Sequence, residues 1–181
     1  RIHGIIKKGG DAVNVVPSLA EAEFAARALD TGTMLDAYEI VINCAKAGAL
    51  VTGATMEYKP PRTALLAPIM VPEYLSLMVK NIKAAGVSED EIRKSDPMGS
   101  SDLGNVGHAY PTVNLMFKVA PKGTALHSDA MREAAATDQA WTETVKAAKA
   151  VALTAYQLLN DPAKVKSIQN TFKEMKAKEG K

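Results

Sequence analysis

The chain has 181 residues, 47% hydrophobic and 23% charged, with 22 basic against 20 acidic side chains and a net charge of +2. That length allows one or two domains, and balanced charge with only 5% aromatic residues leaves no basic stripe interleaved with aromatics for a nucleic acid. No apolar run approaches the ~20 residues of a membrane span, and a single cysteine, Cys44, excludes an internal disulfide or a cysteine-built zinc cluster.

Residues 1–7 carry Ile2, Ile5 and Ile6 and predict a strand, closed by the turn signal Lys8-Gly9-Gly10-Asp11. Residues 19–27 alternate, with Ala20, Ala22, Phe24 and Ala26 on one face and Glu21, Glu23 and Arg27 on the other. That pattern predicts a half-buried antiparallel strand with its charges on the open face. Thr33 is then placed to cap a helix with Asp36 in its first turn. Leu35, Tyr38, Ile42, Ala45 and Ala49 mark its apolar stripe, Gly48 is its expected terminator, and Cys44 is expected to be a small buried hydrophobe. Residues 55–59 alternate again and predict a third strand, stopped by Pro60-Pro61. The order strand, strand, helix, strand is most of a ferredoxin-like α+β unit, which would open with one more strand and helix. The sequence therefore reads as a portion of a longer chain.

Residues 73–86 predict an amphipathic helix bearing Tyr74, Leu77, Met78 and Ile82. Residues 88–96 read as a charged loop with a helical turn, and residues 96–110 as a long loop rich in Gly, Ser, Asp and Asn, of a kind more often functional than idle. Residues 112–119 predict a strand. Residues 138–159 predict a helix with Trp141, Val145, Ala148, Ala152, Ala155 and Leu159 on one face, expected to pack closely on a sheet. Asp161-Pro162 opens the last helix, with Val165, Ile168, Phe172 and Met175 inward.

Three histidines are the candidate chemical groups. His3 alternates with apolar neighbours on a strand and reads as a surface or interface residue, while His108 lies in the Gly/Asn loop before Tyr110-Pro111. His127 is better placed, in a short loop between a predicted strand and helix, with Ser128 and Asp129 ready to cap that helix. It reads either as a last metal ligand or as a residue of a plain capping loop. No His-x-x-x-His or His-Glu-x-x-His spacing accompanies it. Ser100, Ser101 and Asp102 lack the Gly-x-Ser-x-Gly elbow of a serine hydrolase, and Gly9-Gly10 lacks the rest of a phosphate loop. One candidate ligand and a polar loop do not make a self-contained active site.

The runs Arg1-Ile2-His3-Gly4-Ile5-Ile6, Gly9-Gly10, Asn14-Val15-Val16-Pro17 and residues 20–27 (AEAEFAAR) resemble the lid, or dimerisation, domain of the aminoacylase/carboxypeptidase family of dinuclear-zinc amidohydrolases. The nearest resemblance is to its p-aminobenzoyl-glutamate hydrolase-like branch. Residues 99–106 (GSSDLGNV) followed by Pro111 resemble that branch's glycine-serine loop, and Leu126-His127-Ser128-Asp129 resembles the loop holding the family's last metal ligand. The resemblance implies a partial ferredoxin-like lid over residues 1–66. It implies that residues 67–181 are the C-terminal α/β part of a zinc-peptidase-like catalytic domain, making the whole α/β and α+β. It further implies hydrolysis of the amide bond of an N-acyl amino acid, dipeptide or aminobenzoyl-glutamate-like substrate, with water activated by two zinc or manganese ions. His127 would be one metal ligand, Asn14 and Arg27 would hold the substrate carboxylate, and Ser100, Ser101 and Asp102 would line the site. Asp102 alternatively positions the loop, Arg27 alternatively pairs with Glu21 or Glu23, Asn14 alternatively only shapes its turn, and Arg62 is a loose candidate at the lid's end. The family's general-base glutamate and its earlier ligands fall upstream and have no match here. No catalytic residue is thus expected within this chain, and alone it supplies one ligand of the metal set. The expected partners are a small amide substrate and a second copy joined through the lid, in the cytoplasm. The competing reading is a non-catalytic dimerisation or structural module derived from that family.

Overall fold

The computed structural model describes residues 1–60, 63–93 and 99–179. The chain is mixed α+β and mostly helical, and it divides into two compact units, Arg1–Ala67 and Pro68–Lys181.

In the first unit, β1 (Ile2–Lys8) and β2 (Glu21–Ala26) form a two-stranded antiparallel sheet with Ile2 opposite Ala26 and Ile6 opposite Ala22. The register slips between Ile6 and Lys8, which leaves Lys7 as the extra residue of a bulge. From there its Nζ reaches Glu21 at 3.4 Å and Glu23 at 3.7 Å. Gly4 faces Phe24 across the ladder, and a Cβ at Gly4 would overlap the Phe24 ring. Helix α1 (Thr31–Thr52) is capped by Asp30, whose Oδ1 accepts from the Thr33 backbone N–H at 2.8 Å. That N–H, reinforced by the Thr33 side chain, holds the Asp30 carboxyl below its ordinary range.

Two expectations change here. The helix starts two residues before Thr33 and runs past Gly48 to Gly53, at φ 70°. Gly48 is in open space and makes no turn, because an isolated glycine only weakens a helix unless a left-handed cap recruits it. Tyr38, Ile42 and Ala49 are half-buried, but Leu35, Ala45 and Cys44 are exposed, so Cys44 is not the buried hydrophobe expected of it. Residues 55–59 form no strand. No described residue of this unit is buried, and the sheet is exposed on both faces instead of half-buried.

The second unit is built from α2 (Pro72–Ala84), a 3-10 turn at Glu89–Glu91, α3 (Leu103–Ala109), α4 (Asp129–Ala134), α5 (Asp138–Leu159) and α6 (Pro162–Glu179). Pro72 begins α2 where its missing N–H costs nothing, with Glu73 and Lys83 complementing the helix dipole. Thr137 caps α5 by accepting from the Ala140 N–H, and Asp161 accepts from the Lys164 N–H at the start of α6. Ile69, Val71, Ile168 and Phe172 form one buried cluster, with Tyr74, Leu158 and Met175 packed against it. Met78 and Asn81 of α2 meet Ala150 and Thr154 of α5 in a second buried contact.

The predicted loop of residues 96–110 contains α3. Gly107 serves close packing there, since a Cβ would meet Thr112 Oγ1 at 2.9 Å and the Pro68 Cβ at 3.1 Å. Residues 112–119 form no strand, for no other strand of this unit exists among the described residues to pair with them. The α5 face from Trp141 to Leu159 expected inside is mostly exposed. Ala140, Ala150 and Thr154 are its buried residues.

Candidate functional site

His127 sits in a loop whose two flanks are locked. On one side the Pro121 carbonyl accepts from both the N–H and the hydroxyl of Thr124. On the other, Ser128 caps α4, accepting from the Met131 N–H at 3.2 Å and donating to the Ala125 carbonyl at 2.7 Å. Between these turns His127 has φ 61°, the sole non-glycine residue at positive φ among the described residues. The left-handed region crowds Cβ against the carbonyl and costs an L-residue roughly 1–2 kcal/mol, and strain of this kind gathers at functional sites. The imidazole is exposed. Asp129, one residue past the cap, pairs with Arg132 at 3.3 Å.

Because the strain resides in the backbone, His127→Gly should be more stable than His127→Ala by about 1 kcal/mol. Urea unfolding of the two variants tests this, and identical midpoints would show that the positive φ is not held in solution.

Ser100 and Ser101 precede α3. The Ser101 hydroxyl accepts from the Leu103 N–H at 3.1 Å and lies 3.4 Å from Asp102 Oδ1. Asp102 occupies the cap position of α3 without using its carboxylate as the cap. Its backbone carbonyl instead accepts from Asn105 and Val106, which leaves an exposed carboxylate at the helix start. His108 is in the last turn of α3, its carbonyl accepting from Lys176 Nζ.

In the first unit, Asn14 lies exposed in the turn closed by Val15 N–H to Ala12 O at 3.2 Å. Arg27 follows β2, its N–H donating to the Arg1 carbonyl at 2.9 Å. The glutamates considered as its partners, Glu21 and Glu23, are engaged by Lys7. His3 is exposed on β1 opposite Ala25, and Arg62 falls outside the described residues.

A catalytic zinc ion takes three protein ligands and leaves one position open. Among the described residues no three His, Cys, Asp or Glu side chains stand close enough to hold a metal ion. His127 offers one imidazole, so the described residues do not fit a self-contained metal site. Among them, too, no helix is long and apolar enough to cross a membrane.

No protein-family model matches the chain. Two curated proteins do: it is 31% identical over 176 residues to the Xaa-Arg dipeptidase of Mus musculus and 30% identical over 176 residues to that of Homo sapiens. The chain is similar to dipeptidases. Each match takes in 96% of this chain, and the chain spans 40% of the length of each relative. That similarity supports a peptidase relationship and does not single out the p-aminobenzoyl-glutamate hydrolase-like branch.

Proposed function

We propose that this chain forms part of a dipeptidase-type amidohydrolase, cleaving an amide bond to an amino acid that carries a free carboxylate. The observation that carries this reading is the similarity to Xaa-Arg dipeptidases along 96% of the chain. Arg27 is proposed to bind the substrate carboxylate, since a guanidinium matches a carboxylate with two parallel N–H donors. Asn14 adds a neutral amide donor. Ser100, Ser101 and Asp102 line the site, where hydroxyls and an exposed carboxylate orient an amide. His127 is proposed as a single ligand to a divalent metal whose other ligands come from outside this chain, the locked loop fixing its backbone. Dipeptides ending in arginine are the first substrates to try, and a homodimer is the proposed assembly.

The test is a chimera in which this chain replaces the matching part of the mouse dipeptidase. It should hydrolyse Xaa-Arg dipeptides. Arg27→Ala should raise KM about ten- to hundredfold, the worth of a charge-assisted hydrogen bond of ~1.5–3 kcal/mol. A folded chimera without hydrolysis rejects the proposal and favours a structural module.

A further inference from the structure

Helix α3 is seven residues long, and its Asp102 end and its His108 end face different tasks. The final carbonyls of a helix have no partner within it. The one on His108 accepts from Lys176 Nζ, 68 residues further along the chain in α6. The ammonium also stands at the negative end of α3, where a cation is favoured. Its origin is fixed: the neighbouring Met175 packs against the buried cluster of Ile69, Val71, Ile168 and Phe172. One residue before His108, Gly107 is buried against Pro68, which leads directly into Ile69 of the same cluster. The last turn of α3 is thus referred to the core twice, through Pro68 and through Lys176.

The opposite end of α3 carries the exposed Asp102 carboxylate and the Ser101 hydroxyl, which accepts from the Leu103 N–H at 3.1 Å. At a helical rise of ~1.5 Å per residue, that end lies ~9 Å along the axis from His108. A helix this short moves as a rod, so a tilt released at His108 is carried to Ser101 and Asp102. We propose that Lys176 is a positioning residue: by holding the His108 carbonyl it sets the direction of α3, and with it the placement of the Ser101 hydroxyl and the Asp102 carboxylate. This rests on the reading above that those two side chains line the site. Lys176 itself touches no substrate and transfers no proton. A residue that merely closed the last turn would act on that turn alone, whereas a positioning residue is felt at the far end.

Lys176→Met and Lys176→Arg are compared in the chimera with the mouse dipeptidase and in the 181-residue chain. In the chimera, Lys176→Met should lower kcat about tenfold, the effect of a misplaced orienting group. KM should stay within about twofold, because the carboxylate contact proposed for Arg27 is untouched. Lys176→Arg keeps a donor and should recover most of the lost rate. An unchanged kcat overturns the proposal, and so does a loss of rate that tracks a lowered melting midpoint, which would make the role purely structural. In the 181-residue chain, amide exchange at Leu103 and Asn105 should quicken about threefold to tenfold in Lys176→Met and not in Lys176→Arg. Faster exchange confined to Tyr110, whose N–H donates to the Val106 carbonyl, would show that Lys176 only closes the last turn, and is equally fatal. If the chimera folds but hydrolyses nothing, the activity falls on its own, and exchange at Leu103 and Asn105 still decides whether Lys176 positions α3.

Discussion

Replacing Phe172 by alanine is expected to remove about 3–5 kcal/mol from the stability of the Pro68–Lys181 unit. The ring belongs to the one buried cluster that joins α6 to the segment leading into α2, through Ile69, Val71 and Ile168. Val71 is fully buried and is the N-cap residue of α2, its carbonyl accepting from the Leu75 N–H at 3.0 Å. A cavity at Phe172 therefore loosens a helix start as well as a side-chain contact. The nearby Ser167 to Glu73 hydrogen bond, 2.8 Å long and exposed, cannot substitute for lost apolar contact. Phe172→Leu, which keeps most of the volume, should cost less than half as much. Urea unfolding read by far-UV circular dichroism measures both, and equal effects would refute the packing account.

Asn81→Asp should be the next most damaging change, and its cost should depend on pH. Asn81 is 1% exposed, and its Nδ2 donates to Thr154 Oγ1 at 2.9 Å and to Gln157 Oε1 at 3.0 Å. The Thr154 hydroxyl proton is committed to the Ala150 carbonyl at 2.7 Å. Among the described residues Asn81 Oδ1 has no hydrogen-bond partner, and it is buried. A carboxylate placed there would face acceptors on one side and nothing on the other, a cost of about 3–5 kcal/mol for an uncompensated buried charge. Burial raises the folded-state pKa of such a group above its unfolded value near ~3.9. Below that value both states are neutral, and the acid hydroxyl replaces one of the two donors, so the loss is about 1 kcal/mol. The rest of the cost develops as pH rises through the unfolded pKa and towards the raised folded one. Unfolding titrations at pH 3.5 and pH 7.5 test the sign, and a loss independent of pH would reject it.

Elements defined by local chemistry were legible in the sequence. Thr137 before an apolar-periodic run, and Asp161-Pro162 after it, mark α5 and α6 because capping needs only neighbouring residues. The paired strands β1 and β2 announced themselves through β-branching and alternation, and each had the other to pair with. Residues 55–59 and 112–119 alternate as well, yet a strand is a property of two segments, and neither has a partner among the described residues. Gly104 and Gly107 disguised α3 as a loop, since composition does not distinguish glycine used for flexibility from glycine used, as Gly107 is, for close approach to Pro68. The inward face of α5 differs from the predicted one because α2 docks on Ala150 and Thr154, and a helix rich in alanine gives no strong indication of which side is covered. Of the candidate site, the Ser128 cap beside His127 could be read in advance. The left-handed backbone of His127 could not, because it follows from the two turns that flank it.

The absence of any buried described residue in Arg1–Ala67 bears on the calorimetry of the chain. The heat-capacity increment of unfolding tracks newly hydrated apolar surface, and here Ile5 and Ile6 are already 63% and 78% exposed in the folded state. Melting this unit adds little to the increment and gives a broad, shallow transition. The sharp endotherm and most of the curvature of stability with temperature belong to Pro68–Lys181, so a single van't Hoff analysis of the whole chain would describe only that unit.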